Sequence, residues 1–413
     1  MNNSIYSTHA PNHKKNIINA LLSKSYKQLV FSQLKKLKKS CIELNYNNKS
    51  YLFGDTCHKN RVLISIHDYK FFQLLVFKGH LGFAEAYGKG YFSTPQLTEL
   101  LTLFAQNFSV VDKAEGGLSW FFNKLQYLYY KYYERNSLHG SKKNIHAHYD
   151  LGNHLFETFL DPNMQYSSAL YTSADFTLEE AQICKLESIC HRLNLTSNDH
   201  VLEIGSGWGG LALFMAKNIG CKVTTITISE KQFQYAKSII LHEKLDSLID
   251  IRLCDYRKIK GEYDKIVSIE MIEAVGERYY QTYFNKCADL IKPGGLFLMQ
   301  AILIADHEYN KAKNSVDFIK HYIFPGSNIP SLNRLNTAAN QAFMRLDSYH
   351  DMTNDYAKTL YDWQTRFKTQ SEKLLKLGYD NYFQNIWNFY FSYCQAGFIV
   401  EHIRDAHLVY KKR

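Results

Sequence analysis

Four glycines stand close together in the middle of this 413-residue chain: Gly205, Gly207, Gly209 and Gly210. They follow an apolar, β-branched run at 201–204 and precede a helix-like segment at 211–217. Glycines at such a strand-to-helix turn let the backbone take positive φ and approach a ligand without Cβ clashes. The spacing is G-x-G-x-G rather than the G-x-G-x-x-G of pyrophosphate-binding sites. It favours a site for S-adenosylmethionine (SAM), with a dinucleotide site or a structural turn as the alternatives.

The residues after the next two predicted strands bear on the choice between these alternatives. A dehydrogenase places a carboxylate at the end of the second strand, where it binds the ribose hydroxyls. Here that strand ends in Thr227, Ile228 and Ser229, and Gln232 follows on the next helix. Hydroxyls and an amide must therefore bind the ribose in place of a carboxylate. The absence of that carboxylate weakens the dehydrogenase alternative. Asp255 and Tyr256 follow the third strand, where adenine is usually held, although Asp255 could also cap a helix.

Length and composition limit the class of protein. A chain of 413 residues with 46% hydrophobic residues exceeds one ordinary domain and can fill real cores. No apolar run approaches the roughly 20 residues of a membrane span, and the N-terminus lacks the apolar block of a signal peptide. The eight cysteines form no C-x-x-C pair and have no histidines at metal-ligand spacing. We therefore expect reduced cytosolic thiols and no metal site.

The net charge of +10 is concentrated near the N-terminus, where residues 1–42 contain eight lysines and no acidic residue. Apolar residues recur between these lysines at helical spacing, which predicts a basic amphipathic helix. Such a helix can lie on an anionic membrane surface, or it can pack on the next domain with its lysines solvated. Both alternatives stay open at this point. The chain shows no nucleic-acid-binding motif, so we expect no nucleic-acid partner.

The rest of the pattern predicts a small domain followed by a larger one. Residues 43–112 are predicted as an α+β domain, and residues 113–147 as an aromatic helical linker. In the catalytic domain, 148–413, predicted strands and helices alternate, which is typical of a mostly parallel sheet with helices on both faces. The fold class is thus α/β, of the Rossmann-like kind found in SAM-dependent methyltransferases. We expect residues 306–375 to form a helical insertion.

Motifs in this larger domain resemble those of the cyclopropane-fatty-acyl-phospholipid synthase family. They include His148-Tyr-Asp-Leu-Gly-Asn153, Met164-Gln-Tyr-Ser-Ser-Ala169, Met271-Ile-Glu-Ala-Val-Gly276 and Lys320-His-Tyr-Ile-Phe-Pro325. The match runs in order through residues 145–413. The Ser-Ser-Ala and Glu-Ala-Val-Gly variants resemble members grouped with makers of methylene-branched, methyl-branched or furan fatty acids.

The resemblance implies a SAM-dependent transfer of a methyl or methylene group to the double bond of an unsaturated acyl chain in a membrane phospholipid. With the lysine-rich N-terminus, we expect a cytoplasmic enzyme that works peripherally at the inner face of the membrane, on an anionic surface; a homodimer is left open. Two alternatives remain: a methyltransferase for a small soluble nucleophile, and a catalytically impaired homologue that binds lipid or SAM.

The resemblance also implies roles for individual residues. In this family a bicarbonate ion removes the proton after methyl transfer, and the matching positions are Ser168, Glu273, Gln300, Ile302 and Tyr356. Aromatic faces can stabilise the intermediate carbocation, and Tyr149, Tyr166 and Tyr356 are the candidates. Together with the glycine turn, the positions expected to bind SAM are Tyr166, Ser167, Gly205, Gly207, Trp208, Gly209, Thr227, Ile228, Gln232, Asp255 and Tyr256.

Three positions depart from the family pattern. Ser168 replaces the usual cysteine, Gln300 replaces the usual histidine, and Ala274 stands where a histidine often follows the glutamate. A glutamine amide can still donate a hydrogen bond to an anion, but the loss of two histidines leaves fewer groups to pass a proton onward. We expect methyl transfer to survive these changes. Whether bicarbonate is retained, and whether the product is a cyclopropane or a methylene group, stays open.

Overall fold

The computed structural model describes residues 25–38, 41–55, 61–107 and 152–413. The chain divides into two compact units, one comprising Met1–Lys124 and Asn381–Phe389, the other Leu125–Asp380 and Tyr390–Arg413. Residues 381–389 thus belong to the smaller unit, although we predicted them within the larger domain. The domain limits at residues 43, 113 and 148 remain predictions, and the linker 113–147 lies outside the described residues.

The smaller unit contains a four-stranded sheet in the order β2-β1-β3-β4. Its strands are β1 (Cys41–Tyr46), β2 (Lys49–Gly54), β3 (Arg61–Ile66) and β4 (Phe92–Ser93). Its helices are α1 (residues 25–34), α2 (Lys70–Gly88, kinked at Gly79) and α3 (Leu97–Gln106). The turn between β1 and β2 places Asn47 and Asn48 at positive φ, the conformation that a tight two-residue hairpin requires and that asparagine tolerates.

Helix α1 is the described part of the predicted basic amphipathic helix, and its apolar face packs within the smaller unit. Val30 is buried, and the Phe31 ring centroid lies 4.9 Å from that of Tyr51 and 4.8 Å from that of Phe53. The Lys27 ammonium lies 4.6 Å from the Tyr51 ring centroid. For residues 25–34 these contacts favour the alternative of a helix packed on the domain that follows it. Residues 1–24 lie outside the described part of the chain.

The larger unit is built on a seven-stranded sheet in the order β10-β11-β9-β8-β5-β6-β7. Its strands are β5 (His200–Ile204), β6 (Lys222–Thr227), β7 (Ile249–Leu253), β8 (Tyr263–Ile269), β9 (Ile291–Ile304), β10 (Met344–Asp351) and β11 (Ile403–Lys412). Strands β5 to β9 pair in parallel, and β10 and β11 pair antiparallel. The prediction of a mostly parallel α/β sheet is confirmed.

The larger unit also contains helices that precede and follow these strands along the chain. They are α4 (Asn153–Phe156), α5 (Leu178–Arg192), α6 (Gly210–Asn218), α7 (Glu230–His242), α8 (Tyr280–Leu290), α9 (Asp306–Lys313), α10 (Leu332–Gln341), α11 (Thr353–Thr369), α12 (Ser371–Lys376) and the C-terminal part of α13 (Asn381–Ile399), whose first nine residues belong to the smaller unit. Short 3₁₀ turns at Ile272–Ala274 and Glu277–Tyr279 and a π-helical turn at Ile319–Ile323 link some of them. Within the described ranges, no helix is long and apolar enough to cross a bilayer.

The predicted helical insertion at 306–375 contains strand β10 in addition to its helices. Residues in β10 alternate between inward-facing and exposed positions, and they include Arg345, Asp347 and Asp351. The inward-facing positions of β10 include the polar residues Ser348 and His350, so the alternation of apolar and polar residues that identifies a half-buried strand is incomplete. Strand β11 was also missed, because its fully buried core includes the polar residues Asp405 and His407.

Candidate active site

The glycine turn after β5 has the backbone conformation that its sequence predicts. Gly205, Gly207 and Gly209 have φ of 100°, 50° and 93°, in the region that side-chain-bearing residues rarely adopt. The backbone N–H groups of Gly205 and Ser206 donate to the Ile226 carbonyl at 3.0 and 2.9 Å, which ties the turn to β6. A Cβ added to Gly207 would meet no protein atom within 4 Å. That side of the turn is therefore open to a ligand.

A cavity lies beside this turn, at the carboxyl ends of the parallel strands, where open α/β sheets bind their ligands. Ten of the predicted SAM-binding residues line it: Tyr166, Ser167, Gly205, Gly207, Trp208, Thr227, Ile228, Gln232, Asp255 and Tyr256. Gly209 is the exception. A Cβ there would lie 3.0 Å from the Ala236 Cβ, so this glycine allows α6 to start close against α7.

Beyond β6, a hydroxyl and an amide occupy the place of the missing carboxylate. The Thr227 hydroxyl donates to the Gln232 side-chain carbonyl at 3.0 Å. Ser229 caps helix α7 by accepting a hydrogen bond from the Gln232 backbone N–H. Because its carbonyl oxygen is engaged, Gln232 presents an amide NH₂ as the donor that it can offer to a bound ribose.

Asp255 does not cap a helix; it is held by Arg257. The guanidinium donates to both carboxylate oxygens, at 2.8 and 2.6 Å, and lies over the Tyr256 ring. Burial disfavours the charged form of Asp255, but the hydrogen bonds and charge of Arg257 hold its pKa below the ordinary value. Arg257 also lines the cavity and was not predicted.

A second unpredicted residue of the cavity is Glu203, on strand β5. Its carboxylate is buried and accepts a hydrogen bond from the Thr225 hydroxyl. Burial raises the pKa of this carboxyl to about 8. The sequence signal that could have identified Glu203 is its position as an acidic residue within the apolar run 201–204, because a buried carboxylate requires a partner.

The most important unpredicted residue is Glu270, which follows β8 and also lines the cavity. Three of the five residues predicted to hold bicarbonate donate to its carboxylate. The Ser168 backbone N–H and the Gln300 amide donate to Oε1 at 2.8 and 2.9 Å. The Tyr356 hydroxyl donates to Oε2 at 2.6 Å. The structure thus brings Ser168, Gln300 and Tyr356 together around a protein carboxylate.

The side chain of Gln300 connects Glu270 to two further buried polar groups. Its amide nitrogen also donates to Asp405 Oδ2 at 2.8 Å, so both N–H bonds point at carboxylates. Its carbonyl must then accept, and the His407 Nε2, at 3.1 Å, must carry the hydrogen. Burial lowers the pKa of His407 well below its ordinary value, which keeps this ring neutral.

A buried lysine, Lys185 of α5, places a positive charge near these carboxyl groups. Its ammonium donates to the Ser167 hydroxyl at 2.7 Å and to the Gln165 side chain at 3.1 Å. Burial lowers the pKa of Lys185, while the charges of Asp161, Glu270 and Asp405 oppose that shift. Burial raises the pKa of Glu270 and of Asp405.

Glu273 and Ile302, the other two predicted bicarbonate-holding residues, contact each other instead of Tyr356. Glu273 Oε1 accepts the Ile302 backbone N–H at 2.7 Å. Its Oε2 is buried without a hydrogen-bond partner among the described residues. Burial, together with the charge of Glu270, raises the pKa of Glu273 to about 8. The predicted set therefore falls into two neighbouring groups rather than one anion-binding ring.

Aromatic rings surround the Glu270 cluster. Tyr356 stacks on Phe398 with ring centroids 4.5 Å apart, and its edge faces Trp363. Tyr166 packs on the same Trp363 at 5.3 Å and shares a hydrogen bond of 3.1 Å with the Tyr390 hydroxyl. Two of the three aromatic candidates for cation stabilisation thus pack on the same ring, Trp363. The third, Tyr149, is outside the described residues.

Comparisons with known proteins identify the family of this chain. Among curated relatives, a tuberculostearic acid methyltransferase of Mycobacterium tuberculosis is 34% identical over 328 residues, which are 78% of this chain and 76% of that protein. The cyclopropane-fatty-acyl-phospholipid synthase of Escherichia coli strain K12 is 37% identical over 267 residues, 64% of this chain and 66% of that protein.

Solved structures show the same fold. Mycolic acid cyclopropane synthase CmaA1, crystallised with SAH and CTAB, has a TM-score of 0.62 and 25% identity, over 66% of this chain and 98% of its own. The family model for mycolic acid cyclopropane synthetase matches residues 136–408, which include every described residue of the cavity and of the Glu270 cluster. The chain therefore belongs to the mycolic acid cyclopropane synthetase family.

Proposed function

We propose that this protein transfers the methyl group of SAM to the double bond of an unsaturated acyl chain in a membrane phospholipid. Loss of a proton then yields a methylene-branched or cyclopropane fatty acid. The observation that carries the proposal is the position of Glu270. A buried, hydrogen-bonded carboxylate lines the same cavity as the residues expected to bind SAM. A reaction that must remove a proton from an intermediate carbocation requires a base at that place.

The cavity fits SAM, which supplies an electrophilic methyl group on a positively charged sulfur. The turn at Gly205 and Gly207 lets the backbone approach the ligand closely. Gln232 can donate to the ribose hydroxyls, and the Glu203 carboxylate suits the ammonium group of the methionine portion. These assignments support the SAM-binding residues that the sequence predicts.

An isolated alkene is a weak nucleophile, so the protein must align it with the methyl group and exclude water. Apolar side chains in the cavity lining suit an acyl chain, and they include Ile269, Met271, Val275 and Phe324. Methyl transfer leaves a positive charge on the second alkene carbon. The Tyr166 ring, at the cavity wall, can stabilise that charge through its π face.

Two products follow from the same cation. If a C–H bond of the transferred methyl breaks and its electron pair closes a ring, the product is a cyclopropane. If a hydride first moves from the methyl-bearing carbon to the cationic carbon, the same C–H cleavage gives an exocyclic methylene group. Both routes release one proton to a base.

Expression in a host without its own synthase tests the proposed function. We expect phospholipid acyl chains to gain one CH₂ unit in mass. Because the two products share one mass, catalytic hydrogenation followed by fragmentation separates them: the methylene group takes up hydrogen to give a methyl branch. Unchanged acyl chains would contradict the proposal. Turnover of SAM in a lipid-free extract would instead favour a soluble nucleophile, and SAM binding without turnover on unsaturated vesicles would favour an impaired homologue.

We also propose that the lysine-rich region before residue 42 attracts the protein to anionic lipid. Its described lysines Lys35 and Lys36 are exposed at the end of α1. Because the apolar face of α1 is buried within its own unit, the attraction rests on charge rather than on insertion. Each lysine near an anionic surface contributes about 1 kcal/mol, and salt screens that contribution.

Charge reversal at these lysines tests the membrane proposal. We expect the double variant Lys35→Glu, Lys36→Glu to co-sediment with anionic vesicles at least tenfold more weakly at low salt, with SAM affinity unchanged. The difference should vanish at high salt. Lys373→Glu with Lys376→Glu, on the exposed helix α12, is the charge-matched control. Equal loss in both variants would mean that net charge alone matters. Truncation is less informative, because deletion of residues 1–40 removes a helix that packs on the smaller unit.

A further inference from the structure

Bicarbonate does not fit the residues that would be expected to hold it. The Ser168 N–H, the Gln300 amide and the Tyr356 hydroxyl all donate to the Glu270 carboxylate, at 2.8, 2.9 and 2.6 Å. A carboxylate is planar and offers two acceptor oxygens, as bicarbonate does. The donors that would bind the ion are thus already used by the protein. A second anion would also be repelled by the Glu270 carboxylate.

We propose that Glu270 is the base that takes the proton from the methylated acyl chain, so that this protein works without bicarbonate. The inference rests on the proposed function and adds a catalytic residue to it. Glu270 lies in the cavity itself, whereas Glu273 is engaged by the Ile302 backbone and is not part of the cavity lining.

The backbone at Glu270 supports this role. Its φ is +47°, a left-handed conformation that costs a residue with a side chain about 1 kcal/mol or more. This conformation is stabilised by a backbone hydrogen bond, in which the Glu270 N–H donates to the backbone carbonyl of Gln300 at 2.9 Å. A glycine would adopt it without strain. The chain therefore keeps a carboxylate at this point at a cost in stability, as functional residues often do.

The hydrogen bonds also identify the oxygen that acts. Oε1 accepts two hydrogen bonds, from Ser168 and Gln300, which use both of its lone pairs. Oε2 accepts one, from Tyr356, among the described residues. A lone pair therefore remains on Oε2 for a proton.

The step balances without any further reactant. A C–H bond of the transferred methyl breaks, and its electron pair closes the ring or forms the exocyclic double bond. The proton passes to Glu270 Oε2, which converts the carboxylate into a neutral carboxylic acid. That acid releases the proton to solvent before the next turnover, while Lys185 offsets the charge of the restored carboxylate.

Assays of the purified protein on unsaturated phospholipid vesicles test the inference. In buffer freed of carbon dioxide, we expect full turnover, and added bicarbonate should change nothing. Glu270→Gln keeps the shape of the side chain but cannot accept the proton. It should lower turnover by about 10²- to 10⁴-fold, the usual effect of losing a general base, and leave SAM affinity near that of the wild type.

Chemical rescue gives the sharpest test. Glu270→Gly relieves the backbone strain, so it should fold, and it frees three hydrogen-bond donors around an empty space. We expect it to be inactive alone and to regain part of its turnover as formate or bicarbonate is added. Glu401→Gly is the matched control, because Glu401 is also a glutamate at positive φ, 53°, but is exposed. It should keep wild-type turnover and show no response to either anion.

The outcomes separate the two proposals. If the wild type modifies acyl chains only when bicarbonate is present, or if Glu270→Gln retains full turnover, Glu270 is not the base although the proposed function stands. Loss of SAM affinity in both Glu270 variants would also overturn the inference, because it would indicate a structural role. If the wild type modifies no acyl chain under any condition, the proposed function itself fails.

Discussion

Replacement of Gly207 by valine is expected to abolish SAM binding. The backbone at Gly207 has φ of +50°, which a β-branched residue strongly disfavours. A Cβ there would meet no protein atom within 4 Å, so the valine side chain would project into the cavity where the ligand is expected. Calorimetric titration with SAM should show an affinity at least 100-fold lower than that of the wild type.

Gly378→Val is the matched control for this prediction. Gly378 also has positive φ, 92°, and open space beside it, but it is an exposed turn residue outside the cavity lining. This variant should lose some stability and keep its SAM affinity. Unchanged affinity in Gly207→Val would show that SAM binds elsewhere. Equal loss of affinity in both variants would attribute the effect to backbone strain.

The second large effect is expected for Tyr356→Phe, which removes the hydrogen bond to Glu270 Oε2. Burial raises the pKa of Glu270, and the Tyr356 hydroxyl opposes that shift by stabilising the charged form. Without the hydroxyl, the pKa of Glu270 should rise further. Only the ionised carboxylate can accept a proton, so turnover should increase with pH through this pKa in both proteins. In the variant, the rising part of the profile should lie at higher pH.

At neutral pH we therefore expect turnover of Tyr356→Phe to fall about tenfold or more, since hydrogen bonds to charged groups contribute about 1.5–3 kcal/mol. The loss should shrink as the pH rises, and SAM affinity should not change. The other charged groups near Glu270 are Lys185, Asp405 and Glu273, and they remain in place. Tyr361→Phe, at an exposed tyrosine of the same helix, is the control. A uniform loss at all pH values would contradict an action through the Glu270 pKa.

Local patterns in the sequence were sufficient to predict most of the residues that are expected to bind SAM. The glycine turn, the hydroxyls after β6, Gln232 and Asp255 all lie within a few residues of a strand end. In a parallel sheet those strand ends meet at one edge, so local periodicity also predicts where the residues come together. The structure brings eight of these strand-end residues to one cavity. The edge strands were not predictable in this way, because polar Ser348 and His350 occupy inward-facing positions of β10 and β11 carries buried polar groups.

Only the tertiary structure showed which of two carboxylates, Glu270 or Glu273, accepts the hydrogen bonds of the predicted site residues. Glu270 and Glu273 lie three residues apart at the end of the same strand, and the family pattern pointed to Glu273. The groups that donate to Glu270 come from far along the chain: Ser168 is 102 residues away, Gln300 is 30 and Tyr356 is 86. Asp405, which shares the Gln300 amide, is 105 residues from it, on a strand that the sequence does not reveal. A carboxylate becomes a base through its partners and its burial, and those are set by strands and helices that meet only in the folded chain.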